Sequence, residues 1–158
     1  MSRHALKGLV AGSVIAVTCF SVLPSEALAE KRFFTVAAVE PKGGVTVDKE
    51  PFPSEPLPGG GGYVLNKPDA NNRWEVSTYL WSPGQIIVNE GDDVTLEFVG
   101  INGASHPTTI KGFGKAFVLK RGNVTRVDFV ADKAGTFPIE CSTHRPSMTA
   151  EIIVLPRK

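Results

Sequence analysis

From Tyr63 onward the chain is a succession of short runs in which apolar and polar residues alternate, set apart by turn residues. Val94, Leu96 and Phe98 alternate with Thr95, Glu97 and Val99, the period of a strand with one buried face. Arg73 to Leu80 repeats the pattern, with Trp74, Val76, Thr78 and Leu80 on one side. Gln85 to Asn89 follows the turn Pro83-Gly84 and ends at the turn Glu90-Gly91-Asp92. Further strands are predicted over Thr108 to Lys111, Ala116 to Lys120, Val124 to Val130, Thr136 to Glu140 and Met148 to Leu155. Asn102-Gly103, Gly112, Gly114, Gly122-Asn123 and Ala134-Gly135 separate them. No stretch carries apolar residues at helical spacing over several turns. The pattern predicts an all-β domain, a Greek-key β-sandwich of about seven or eight strands with one packed core.

The first 62 residues read differently. Arg3 and Lys7 precede an apolar stretch from Leu9 to Leu23, and Ala27-Leu28-Ala29 has the small-x-small form that signal peptidase cuts after. The apolar run is shorter than the roughly 20 residues of a spanning helix. Residues 1–29 are therefore expected to be a cleaved signal peptide, which places the mature protein in the periplasm or otherwise outside the cytoplasm. Residues 30–62 are read as a Pro/Gly-rich N-terminal extension. Phe33 to Val36 forms a short strand at most, and Pro51, Pro53, Pro56, Pro58 and Gly59 to Gly62 make a surface linker or arm. Residues 63–158 are the folded domain.

Composition sharpens the picture once the signal is removed. Arg3, Lys7 and Glu26 leave with it, so the 17 basic and 16 acidic residues of the full chain become 15 of each. A neutral chain is not the strongly basic domain that binds nucleic acid. No later segment is apolar enough to insert in a membrane. Cys19, His4 and Met1 are also lost, leaving one cysteine (Cys141), two histidines (His106 and His144) and one methionine (Met148). An exported domain with a single cysteine forms no internal disulfide, and that cysteine must be buried, paired between chains or bound to a metal.

Cys141-Ser142-Thr143-His144-Arg145-Pro146-Ser147-Met148 lies between two predicted strands, and His106 follows the break at Asn102-Gly103. Two imidazoles and a thiolate with a weak thioether are the donors of a blue-copper site. Thiolate and thioether suit Cu(I), while imidazole suits both oxidation states. Structural zinc accepts sulfur and nitrogen donors, but methionine is not among its usual ligands. A Cys–His nucleophile pair needs an orienting third group and an oxyanion site, and no acyl-transfer motif surrounds this pair. A dinuclear copper centre needs two bridging cysteines.

Residues from about Trp74 to Leu155 resemble the cupredoxins, the family of plastocyanin, amicyanin and pseudoazurin. The resemblance rests on His106 after a strand, the Cys141-x-x-His144-x-x-x-Met148 loop before the last strand, the segment Pro83 to Asp92, and Ala134-Gly135-Thr136-Phe137. It implies one copper ion cycling between Cu(I) and Cu(II), held by His106, Cys141, His144 and Met148. It further implies a non-enzymatic, monomeric electron carrier between redox-partner proteins, with His144 as the exit for the electron and Pro107 and Pro146 beside it. The gap from His144 to Met148 departs from the named relatives. So does Pro107, where several relatives carry an asparagine that ties the ligand loops together; Asn102 or Thr143 would have to supply that tie. Alternatives are a periplasmic copper chaperone or storage protein, or a red-copper-type protein with an open coordination position.

Between Glu97 and Asp128 there is no acidic residue, whereas Lys111, Lys115, Lys120, Arg121 and Arg126 are basic, and Arg145 lies within the ligand loop. This stripe either steers an acidic redox partner or is an ordinary solvated sheet face. Trp81 and Phe113 either line the site or fill the core.

Overall fold

The computed structural model describes residues 28–157. The signal peptide expected over 1–29 lies outside them but for its last two residues. Every regular element among the described residues is a strand: β1 (Lys31–Val39), β2 (Lys42–Thr46), β3 (Tyr63–Asn66), β4 (Arg73–Thr78), β5 (Leu80–Ser82), β6 (Gln85–Asn89), β7 (Asp93–Gly100), β8 (Ser105–Ile110), β9 (Lys115–Lys120), β10 (Val124–Val130), β11 (Gly135–Cys141) and β12 (Thr149–Leu155).

Two sheets form the sandwich, one in the order β10-β7-β1-β5 and the other in the order β6-β12-β11-β8-β9. The chain crosses between them from β7 to β8, back from β9 to β10, and again to β11. The alternation read from the sequence sets which side chains meet inside. Val94, Leu96 and Phe98 of β7 face Ile86 and Val88 of β6, Ile139 of β11 and Ile152 and Val154 of β12 in one buried cluster. Each such side chain contributes roughly 1.5–3 kcal/mol by leaving water. On β8 the inward series is His106, Thr108, Ile110, so His106 occupies a core position.

The extension departs from expectation. Its first part is not an arm: β1 lies inside the four-stranded sheet, parallel to β7 and antiparallel to β5, with Val36 and Ala38 fully buried. Phe34-Thr35-Val36-Ala37-Ala38 has the alternation of a half-buried strand, but its parallel partner lies some sixty residues away (Lys31 against Asp93). That pairing has no local turn to announce it. The rest of the extension supplies β2, which joins β3 and β4 of the following domain in a third sheet, β2-β4-β3. The run Arg73 to Leu80 divides at Tyr79, with β4 in this small sheet and β5 in the sandwich. These additions raise the strand number to twelve. The Pro-rich segment folds back on the small sheet: the Trp74 indole N–H donates to the Glu50 carbonyl at 2.9 Å, and Phe52 meets the Trp74 ring edge-on at 5.6 Å.

Candidate metal centre

β8 and β11 are antiparallel neighbours with Cys141 opposite Thr108. Cys141 therefore lies diagonally across from His106 on the inward face, at the end of the sheet. The chain leaves β11 at Cys141 and returns to β12 through a short loop. That loop is closed by the Cys141 amide donating to the Met148 carbonyl (3.1 Å) and the Met148 amide donating to the His144 carbonyl (2.9 Å). His144 is thereby carried back over Cys141.

The three donors converge. His106 Nδ1 and His144 Nδ1 are 3.1 Å apart, and Cys141 Sγ lies 3.9 Å from the first and 3.5 Å from the second. A triangle with these edges has its centre about 2 Å from each corner, the range of first-row metal bonds to imidazole and thiolate. The donor set and its spacing fit a copper ion. His106 and Cys141 are fully buried, and His144 is half-buried.

The surroundings fix the state of each donor. His106 Nε2 lies 2.7 Å from the Asn102 carbonyl, which can only accept, so Nε2 carries the proton and Nδ1 presents its lone pair to Cys141 and His144. Gly103, at φ 73°, lets the chain pass the ring: a Cβ there would sit 2.6 Å from His106 Cε1. Burial, and then the neighbouring His106, push His144 below the usual imidazole range, which keeps it neutral. Burial pushes the Cys141 thiol up, while the amides of His144 and Thr143, which donate to its sulfur, act in the opposite direction. Loading a metal therefore displaces the thiol proton, and the same two amides are in place to hold the thiolate.

The tie between the ligand strands runs through Pro107 after all. Its carbonyl accepts from the Ser142 amide at 2.9 Å, so the missing N–H at Pro107 costs the site nothing. Asn102, one of the two residues considered for this tie, instead orients His106. Met148 is fully buried, and its main chain bonds to the residues on either side of the metal position. Trp81 lies edge-on to His106 at 6.0 Å, whereas Phe113 packs on Phe129 and Phe137 within the core. The basic stripe is partly neutralised: Lys111 and Arg145 both bind Glu140, and Arg126 binds Glu97.

Sequence reasoning missed the cover over His144. The Tyr79 ring stacks on the imidazole with centroids 3.9 Å apart and planes 24° from parallel. Gly62 donates its amide to the Arg145 carbonyl (3.0 Å) and accepts from Ser147 Oγ (2.9 Å), and Gly61 pairs with Arg145. At Gly62 a Cβ would lie 2.6 Å from the His144 carbonyl oxygen, so this segment approaches the loop as only glycine can. The run Gly59 to Gly62 was itself the available signal, since unbroken glycine marks close backbone approach as well as flexibility.

No protein-family model and no curated protein matches the chain. Solved structures do match. A copper nitrite reductase from Nitrosomonas europaea aligns with 80% of this chain and 42% of its own, at a TM-score of 0.53 and 17% identity. A multicopper oxidase, mgLAC, aligns with 82% of this chain and 40% of its own, at a TM-score of 0.51 and 17% identity. The fold is cupredoxin-like. The chain spans about two-fifths of each of these enzymes, and at such identity the likeness is one of architecture. The cupredoxin-like sandwich and the His106-Cys141-His144 group agree with the ligand loop read from the sequence.

Proposed function

We propose that the chain is exported and acts as a one-electron carrier, holding one copper ion through His106, Cys141 and His144, with Met148 as a fourth, weaker donor. The observation that carries this reading is the enclosed triangle of donors, two of its corners fully buried. Copper, when bound, supplies a couple between Cu(I) and Cu(II). The protein supplies an arrangement that does not need to change between them. Asn102 holds the His106 ring and its tautomer. The amides of Thr143 and His144 hold the sulfur. Tyr79 holds the His144 ring from outside. Rigid donors keep the reorganisation on electron transfer small.

Met148 as the fourth donor is supported by its complete burial and by main-chain bonds that fix its Cα beside Cys141 and His144. Burial of the donors favours a carrier over a chaperone, which must surrender its metal, and over an enzyme, which must admit a substrate. The carrier is monomeric, works in the periplasm or another exported location, and exchanges electrons with redox-partner proteins. It binds no nucleic acid and is not inserted in a membrane.

The test is the visible spectrum of the metal-free protein after one equivalent of Cu(II). An intense thiolate-to-copper band is expected, followed by reversible voltammetry without loss of metal. A colourless protein that prefers zinc would overturn the reading, and ready transfer of copper to a weak chelator would favour the chaperone.

A further inference from the structure

Two chains of contacts start from Glu40, at the end of β1, and each ends on one of the imidazoles. In the first, the Glu40 amide donates to Asn102 Oδ1 (3.2 Å), and the Asn102 carbonyl holds His106 Nε2 (2.7 Å). In the second, the Glu40 carboxylate stands beside the Tyr79 hydroxyl, and the Tyr79 ring lies on His144. The Glu40 side chain is only 9% exposed and is held by Lys42 at 3.0 Å. A carboxylate sunk to this depth is costly unless its partners are fixed. Here they are fixed by the small sheet, which also places Tyr79: its amide donates to the Gly62 carbonyl at 3.1 Å. The same ring reaches His106, with centroids 5.9 Å apart.

We propose that Tyr79 is a positioning residue for the metal centre: its phenol, braced by Glu40, clamps His144 in its ligating position and, with the main chain of residues 61–62, closes the centre to outside ligands. The proposal rests on the copper reading above. It gives the later part of the extension a task, shared with the first strands of the domain. Residues 40–79 form a cover that replaces an exposed histidine edge with a stacked tyrosine and a glycine strap. The imidazole cannot swing away without breaking the stack, and a small anion cannot reach the metal position from that side.

The experiment compares wild type with Y79F, Y79L and E40Q. In the metal-free protein, the His144 ring protons should be shifted upfield by the Tyr79 ring and show cross-relaxation with it. Y79F should retain the shift and Y79L should lose it. Wild-type spectra without shift or cross-relaxation overturn the clamp whatever the variants do. In the copper-loaded protein, azide should leave the visible and paramagnetic-resonance spectra of wild type and Y79F unchanged and alter those of Y79L. Transfer of Cu(I) to a chelator should quicken up to about tenfold in Y79L, the upper range of what a stacked aromatic pair is worth, and by about two- to threefold in Y79F, which loses the hydroxyl, and in E40Q, which loses the carboxylate charge. A folded Y79L that resists azide and keeps the wild-type transfer rate overturns the proposal, since a merely structural tyrosine would lower the melting temperature and move neither. Wild type lacking the thiolate band fails the copper reading itself, and the ring-proton spectra separate that failure from failure of the stack.

Discussion

β7 runs between two buried polar clusters of opposite character. Before its first residue lies Asp92, whose fully buried carboxylate binds Arg157 at 2.6 Å and Arg32 at 3.2 Å and accepts from the amides of Asn89 and Glu30 at 3.0 and 3.1 Å. After its last residue comes Asn102, which orients His106. In the first cluster the buried carboxylate has two opposite charges and two N–H groups beside it. It ties the N-terminal strand to the C-terminal residues and asks for nothing further. The second turns its three donor atoms toward a common point, with no opposite charge of the protein set there. Burial alone does not mark a functional site. What marks it is buried donors aimed at each other across a space of metal size.

The comparison makes opposite demands on mutants at the two ends. Cys141→Ser should have the largest effect on the metal: the thiolate band disappears and Cu(II) affinity falls by more than about a hundredfold, beyond what changes outside the ligand set cause. Calorimetric titration and the visible spectrum check this, and the fold should survive. Asp92→Asn should do the reverse. It removes the buried charge that Arg32 and Arg157, themselves only partly buried, both pair with, and destabilises the fold by about 3 kcal/mol, with the copper band unchanged. Denaturant unfolding at neutral pH reads the first, and the spectrum reads the second.

The wild-type pH dependence carries the same signature. Burial would raise the Asp92 carboxyl, but the amides of Asn89 and Glu30 and the two arginines outweigh it and hold it below its ordinary 3.8. A lowered native value means that the unfolded chain binds the proton first. The stabilisation is therefore complete above the ordinary value and is lost as the pH falls from there through the native one. Acid unfolding of wild type should steepen in that window, and Asp92→Asn should remove the steepening.

Smaller effects sharpen the boundary between site and cover. Gly62→Ala drives a methyl group against the ligand loop and should cost about 1–3 kcal/mol while shifting the copper band, because the loop that moves carries His144. A loss of stability with the band unmoved would separate the strap from the site. Met148→Leu conserves volume and should cost less than about 1.5 kcal/mol. Copper should be retained at a raised potential, and an unchanged potential and spectrum would remove Met148 from the donor set.

The His106-Cys141-His144 group was legible because so few soft donors remain once the expected signal is set aside. With one cysteine, two histidines and one methionine remaining, chemistry permits few sites, and the alternation around them already specified a sheet. The split of the run at Tyr79 was not legible, because an unbroken alternation says which face a residue takes but not which sheet the strand joins. The same limit hid β1, whose apolar positions read as a short strand in an arm until β7 supplied its edge.

By itself, then, the sequence determined the donors, the strand-rich body and the loop that carries Cys141, His144 and Met148. Each of these depends on residue type and on spacing over a few positions. The tertiary structure alone decided that Tyr79 covers His144, that Glu40 stands behind both imidazoles, and that the Gly59 to Gly62 run is a strap across the metal loop. Those contacts join segments such as Gly62 and Ser147, 85 positions apart. The glycine run announces a close approach but not what is approached, tyrosine announces neither, and only the packing of the small sheet against the end of the sandwich brings them together.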